Sequence, residues 1–196
     1  MPVFHHKHSF SLENGASLPS FELAYQTWGK LNPERSNVVW VCHALTANAD
    51  AAEWWPGMIG PGLLLDTDRY FIVCANMLGS CYGSTEALSM HPDTGRPYFH
   101  DFPMLTNRDI VRAFMALRKY LGFVQIHLIL GGSMGGQQAL AWPILEPEVF
   151  EYLFPIATNA QHSPWGIAFN SSQRMAITQD QSCQAASPQA CVEGLK

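Results

Sequence analysis

Charge is scarce in this chain. Only 14% of its 196 residues are Asp, Glu, Lys or Arg, and the acids outnumber the bases by 16 to 11. The resulting net charge of −5 argues against a nucleic-acid surface or an anionic membrane as partner. No apolar run approaches the ~20 residues a bilayer-spanning helix needs, and the N-terminus has no apolar signal-like region. A cytoplasmic protein without membrane contact is the expectation. The five cysteines, Cys42, Cys74, Cys81, Cys183 and Cys191, are odd in number and form no C-x-x-C pair. That pattern speaks against both a disulfide framework and a zinc site. Cys42 and Cys74 lie inside apolar runs and read as buried thiols. His5, His6 and His8 could chelate a metal, but a frayed N-terminal tail is the preferred reading, so no metal is expected. There is no internal repeat and no low-complexity tract.

What is present is apolar sequence, 47% of the chain, enough for one domain with one sizeable core. Residues 8–13 and 21–27 read as strands around a turn at Gly15, which predicts an opening antiparallel pair. Asn37–Cys42, Tyr70–Ala75, Ile126–Leu130 and Tyr152–Ala157 lack polar alternation. Such runs predict strands buried on both faces, the habit of parallel sheets. Pro155 cannot donate to a ladder and weakens the last of them. Thr106 and Asp109 form a capping-box-like helix start, Ile110, Val111, Phe114, Leu117 and Leu121 share one face, and Gly122 supplies the stop. A second helix is expected from Met134 toward Leu145, with Pro143 kinking it or ending it early. The alternation of strand and helix predicts an α/β fold with a mostly parallel sheet and helices on both faces. Long connections at 44–66 and 76–106 follow strand C-termini, where open α/β sheets place ligands. After Thr178 the composition turns to Gln, Ser, Ala and Cys, and residues 179–196 read as a poorly ordered tail.

The chemistry concentrates at Gly131-Gly132-Ser133-Met134-Gly135-Gly136, a G-x-S-x-G placed where a buried strand should give way to a helix. A sharp turn of this kind exposes a serine hydroxyl at the sheet edge, so Ser133 is the candidate nucleophile. It needs a base, a group to orient that base, and donors for the oxyanion of acyl transfer. The Met134 N–H is one natural donor. His43-Ala44-Leu45-Thr46 follows an earlier central strand, which makes the Leu45 N–H the other. Gly79–Thr85 resembles a phosphate loop but lacks the Gly-Lys-Ser/Thr ending, so it reads instead as a tight loop lining the pocket beside Ser133. Trp54 and Trp55 could wall a substrate cavity, but core anchoring of a short helix is the favoured reading.

Several segments together resemble the homoserine O-acyltransferase family of the α/β-hydrolase fold: Val39–Thr46, Tyr70–Asn76, Leu78–Thr85, Gly132–Gly136 and Gln173–Ile177. The resemblance spans most of residues 5–180. It implies transfer of an acetyl group from acetyl-CoA to the hydroxyl of L-homoserine through an acyl-serine, an early step toward methionine, with no bound cofactor. By position, Ser133 is similar to the acylated nucleophile, Leu45 and Met134 to the oxyanion donors, and Arg174 to the arginine that holds the amino-acid carboxylate. The small-molecule partners would be L-homoserine and an acyl-CoA, and the full-length family is expected to dimerise. A succinyl donor, a serine acceptor or simple hydrolysis are alternatives.

Three features depart from the family pattern. Glu86-Ala87 stand where Gly-Pro is usual, so Glu86 would be strained if that position needs positive φ. Pro143 replaces a helix-friendly residue. The family's acid and base lie far downstream in the order Asp then His, whereas His162 and Asp180 here occur in the reverse order and match neither. Glu193–Lys196 resemble the start of a segment that continues in the family. The expectation is a partial α/β-hydrolase core over residues 1–178 with the start of a lid. The final strands, most of the lid and two triad members would be missing, making a catalytically silent fragment or pseudoenzyme.

Overall fold

The computed structural model describes residues 1–180. Cys183, Cys191, Glu193–Lys196 and nearly all of the expected tail lie outside the described residues. Ten strands and four helices follow in chain order. They are β1 Val3–His6, β2 Phe10–Ser11, β3 Ser17–Leu18, β4 Phe21–Trp28, β5 Val38–Cys42, α1 Ala51–Trp54, β6 Ile59–Gly60, β7 Leu65–Asp66 and β8 Phe71–Ala75. The rest are α2 Asn107–Leu121, β9 Ile126–Gly132, α3 Met134–Leu145, β10 Phe150–Ile156 and α4 Pro164–Gln179.

The main sheet runs β1-β4-β8-β5-β9-β10. Strands β8, β5, β9 and β10 are mutually parallel, and β4 and β1 join antiparallel at one side. The four apolar runs are thus the four parallel strands. In β5 the two-residue period divides the core: Val38, Trp40 and Cys42 face a cluster with Phe114, Leu117 and Trp142, while Val39 and Val41 face one with Ile72, Cys74 and Leu130. Helices α2 and α3 cover the first face. The second is covered by α1 and its connection, with Trp54 and Trp55 packed against it as core anchors. Cys42 and Cys74 are buried thiols, and burial pushes both well above the usual thiol range.

Helix α2 begins and ends as its sequence predicts. Thr106 accepts from the Asp109 N–H, Asp109 accepts from the Thr106 N–H, and Gly122 closes the helix in the left-handed conformation at φ 74°. Burial opposes ionisation of Asp109, but hydrogen bonds from the Thr106 N–H, Arg112 and the Glu13 N–H outweigh it and hold the carboxyl below its ordinary value.

Five expectations are corrected. The opening pair is not 8–13 with 21–27: β2 pairs with β3 across the Gly15 turn, and β1 pairs with β4. The histidine-rich N-terminus is not a frayed tail, because β1 hydrogen-bonds along β4 and His6 stacks on Phe21 at 4.6 Å. Helix α3 runs through Pro143 to Leu145, since the proline sits in the last turn. Pro155 is accommodated within β10, an edge strand of the main sheet. Its neighbour Ile156 turns its carbonyl toward the Ser133 N–H, so alternation points position 155 away from β9. Finally, β10 is not buried on both faces. Tyr152, Leu153 and Phe154 are exposed, because no described element covers them. Among the described residues no helix is long and apolar enough to cross a membrane.

Candidate functional site

Strand β9 delivers the chain into Ser133, which adopts φ 53° and ψ −121° before α3 starts at Met134. A non-glycine residue in that region is strained, at a cost of about 1–3 kcal/mol, and the conformation persists only where the surroundings enforce it. Here they do. The Ser133 N–H donates to Ile156 O at 3.0 Å. Its carbonyl accepts from the Gly136 N–H at 3.0 Å and from the Thr158 hydroxyl at 2.7 Å. Glycine at 135 is a steric necessity: a Cβ there would stand 2.1 Å from Cys42 O and 2.5 Å from His43 O. The turn is thus pressed against the end of β5, whose Cys42 is paired in register with Gly131.

The chain leaving β5 forms the second part. His43 is 1% exposed. Its Nε2 lies 3.1 Å from the Met77 nitrogen and its Nδ1 2.8 Å from Ala44 O. Burial pushes its pKa below the ordinary histidine value, although the bond to Ala44 O works the other way.

Ser133, Leu45, Met134 and Arg174 line one cavity of about 430 Å³, together with Thr158 and His162. Arg174 projects from α4 and donates one bond to Ser171 Oγ at 3.1 Å, a use that leaves guanidinium N–H groups for an anion. His162 Nε2 lies 3.2 Å from the Gln137 side-chain amide nitrogen. Asp180, just past α4, is not among the lining residues. All four residues singled out from sequence therefore meet at one place.

The Gly79–Thr85 loop does not join them. Its Ser84 and Thr85 hydroxyls accept from the Ala24 and Glu22 N–H groups of β4, and Asn76 accepts from the Ala49 N–H while donating to Tyr82 O. The loop braces the sheet and contributes nothing to the cavity lining. Glu86 is not strained, because the non-glycine residues with positive φ among the described ones are Arg35, Phe99, Ser133 and Ala157. Thr158, just past β10, escapes the sequence motifs. Its signal was its place after the C-terminal end of a parallel strand.

A family model for the alpha/beta hydrolase fold matches residues 37–181. The chain belongs to the α/β-hydrolase fold family. It is 47% identical over 194 residues to the homoserine O-acetyltransferase of Cyclobacterium marinum, a match covering 99% of this chain and 55% of that protein. Among solved structures, the homoserine O-acetyltransferase from Bacillus anthracis matches with a TM-score of 0.90 at 31% identity, over 99% of this chain and 57% of that one. Esterase E22 matches with a TM-score of 0.91 at 29% identity, over 99% and 58%. The chain spans about half the length of the curated relatives it matches. Within the hydrolase fold, the match includes β9, which leads into Ser133, and α4, which carries Arg174.

Proposed function

We propose that this chain is the nucleophile-bearing part of an acyltransferase that moves an acetyl group from acetyl-CoA to the hydroxyl of L-homoserine. The observation that carries the reading is the meeting of Ser133, Leu45, Met134 and Arg174 at one cavity. A general base takes the Ser133 proton as Oγ attacks the thioester carbonyl. The tetrahedral oxyanion accepts from the Leu45 and Met134 N–H groups, the C–S bond breaks and CoA departs as the thiol. The homoserine hydroxyl then attacks acetyl-Ser133, its proton passes to the base, and the serine is regenerated. Arg174 grips the homoserine carboxylate, a task suited to the planar, two-pronged guanidinium. The product would feed methionine synthesis in the cytoplasm, and the complete protein would act as a homodimer.

The test uses protein expressed from the complete coding sequence. Acetyl-CoA without acceptor should acetylate the Ser133 peptide, and adding homoserine should discharge the label as O-acetylhomoserine. Active protein with an unlabelled Ser133 would overturn the mechanism. Discharge by water at an undiminished rate would replace the acyltransferase with an ester hydrolase. Faster labelling from succinyl-CoA, or faster discharge by serine, would reassign the substrates.

A further inference from the structure

The two N–H groups assigned to the oxyanion share an arrangement behind them. A peptide unit is planar and trans, so the carbonyl of one residue and the N–H of the next point in opposite directions and turn together. The Leu45 N–H therefore belongs to the same rigid plane as Ala44 O, and the Met134 N–H to the same plane as Ser133 O. Each of those carbonyls has a side-chain partner. Ala44 O is 2.8 Å from His43 Nδ1, and Ser133 O accepts from Thr158 Oγ1 at 2.7 Å.

We propose that His43 and Thr158 are positioning residues of the oxyanion pocket, each pinning from behind the peptide plane whose N–H faces the substrate. The inference rests on the acyl-transfer reading of the cavity. For His43 the proton position follows from the other ring nitrogen. The Met77 N–H, 3.1 Å away, can only donate, so Nε2 must carry the lone pair and Nδ1 the proton. Burial keeps the ring neutral and so preserves that arrangement. The imidazole thus relays the fixed position of the chain after β8 into the Ala44–Leu45 peptide. For Thr158 the neighbouring backbone does the locating. A Cβ at Gly136 would lie 2.6 Å from both Thr158 Cβ and Cγ2, so the missing side chain at 136 is what lets the threonine approach. Besides holding the planes, a hydrogen bond accepted by a carbonyl polarises its own amide and strengthens the N–H on the far side. Donors fixed before the charge develops need no reorganisation when it does.

The experiment measures single-turnover acetylation of Ser133 and steady-state kinetics in protein from the complete coding sequence. Thr158→Val keeps the shape and removes the hydroxyl; Thr158→Ser keeps the hydroxyl. Removing an oxyanion donor outright costs about 10²–10³ in kcat, so loosening one should cost Thr158→Val roughly tenfold in acetylation, with homoserine KM unchanged. Thr158→Ser should recover most of that loss. His43→Asn retains a donor near the Nδ1 position and should stay closer to wild type than His43→Leu. Equal rates for Thr158→Val and wild type would overturn the proposal. So would equal losses in the Val and Ser variants, which would mark packing rather than the hydroxyl, or a change confined to KM. Wild type that forms no acetyl-Ser133 removes the acyltransferase reading and this inference with it. Wild type that does, beside an unimpaired Thr158→Val, removes the inference alone.

Discussion

Helices α2 and α4 are nearly equal in length, 15 and 16 residues, and each starts at a hydroxyl that accepts from a first-turn N–H. Thr106 caps the one and Ser163 the other. Yet α2 buries seven of its residues against the sheet and α3, and α4 buries none. Strands β5 and β10 repeat the contrast, one buried along its whole length and the other open. Local signals thus decide where an element begins and what kind it is. Whether it is held depends on an opposing surface, since a capped helix of this length is marginal in water by itself. The cavity draws on both kinds of support. Ser133, Leu45 and Met134 directly follow the C-terminal ends of the buried strands β9 and β5, and Arg174 stands on α4, which buries no residue among the described ones.

Two tryptophans give the comparison its severest test. Trp142 in α3 is fully buried, edge-on to Trp40 at 4.9 Å, with its indole N–H on Glu146 at 2.9 Å. Trp142→Ala should destabilise this chain by about 3–5 kcal/mol in urea unfolding. An intermediate loss is expected at α2. Asp109→Asn keeps the size but removes the charge that Arg112, Thr106 and Glu13 converge on, at about 1.5–3 kcal/mol. Its pH dependence has a definite sign. A carboxyl whose pKa is depressed on folding stabilises fully above the unfolded value of about 3.9 and loses that contribution as pH falls through the lower folded value. The variant should therefore lose part of the acid sensitivity seen in wild type. The smallest effect is expected at Trp165, which is 74% exposed on α4. Trp165→Ala should stay within about 0.5 kcal/mol of wild type. A cost at Trp165 approaching that at Trp142 would show the α4 face to be covered in solution, and the contrast between the helices would fail.

The features legible in the sequence are those whose cause is local. Thr106, Asp109 and Gly122 bound α2 through bonds spanning a few residues, and the small residues around Ser133 specify the turn by crowding within it. The four apolar runs are legible as strands for the same reason. Features created by distant partners were not. His5 and His6 gain order from β4, where they pair in register with Glu22 and Phe21, 17 and 15 positions away. Ser84 and Thr85 look like part of a ligand loop until the Ala24 and Glu22 N–H groups claim their hydroxyls. Thr158 reaches a carbonyl 25 residues earlier, a distance no motif encodes. The apolar run Tyr152–Ala157 predicts burial, but a run records only a preference, and nothing among the described residues satisfies it.

The in-register pairing of Cys42 with Gly131 has a consequence in time. The His43 loop and the Ser133 turn leave neighbouring strands at the same level, tied by the ladder between β5 and β9. Their spacing persists until that ladder opens, which in a cooperative core is the moment the whole domain unfolds. Arg174 has no such guarantee, because α4 can fray while the sheet stands. The pocket therefore has two supports: its backbone half lasts as long as the sheet, and its arginine half only as long as one helix that buries no residue among the described ones.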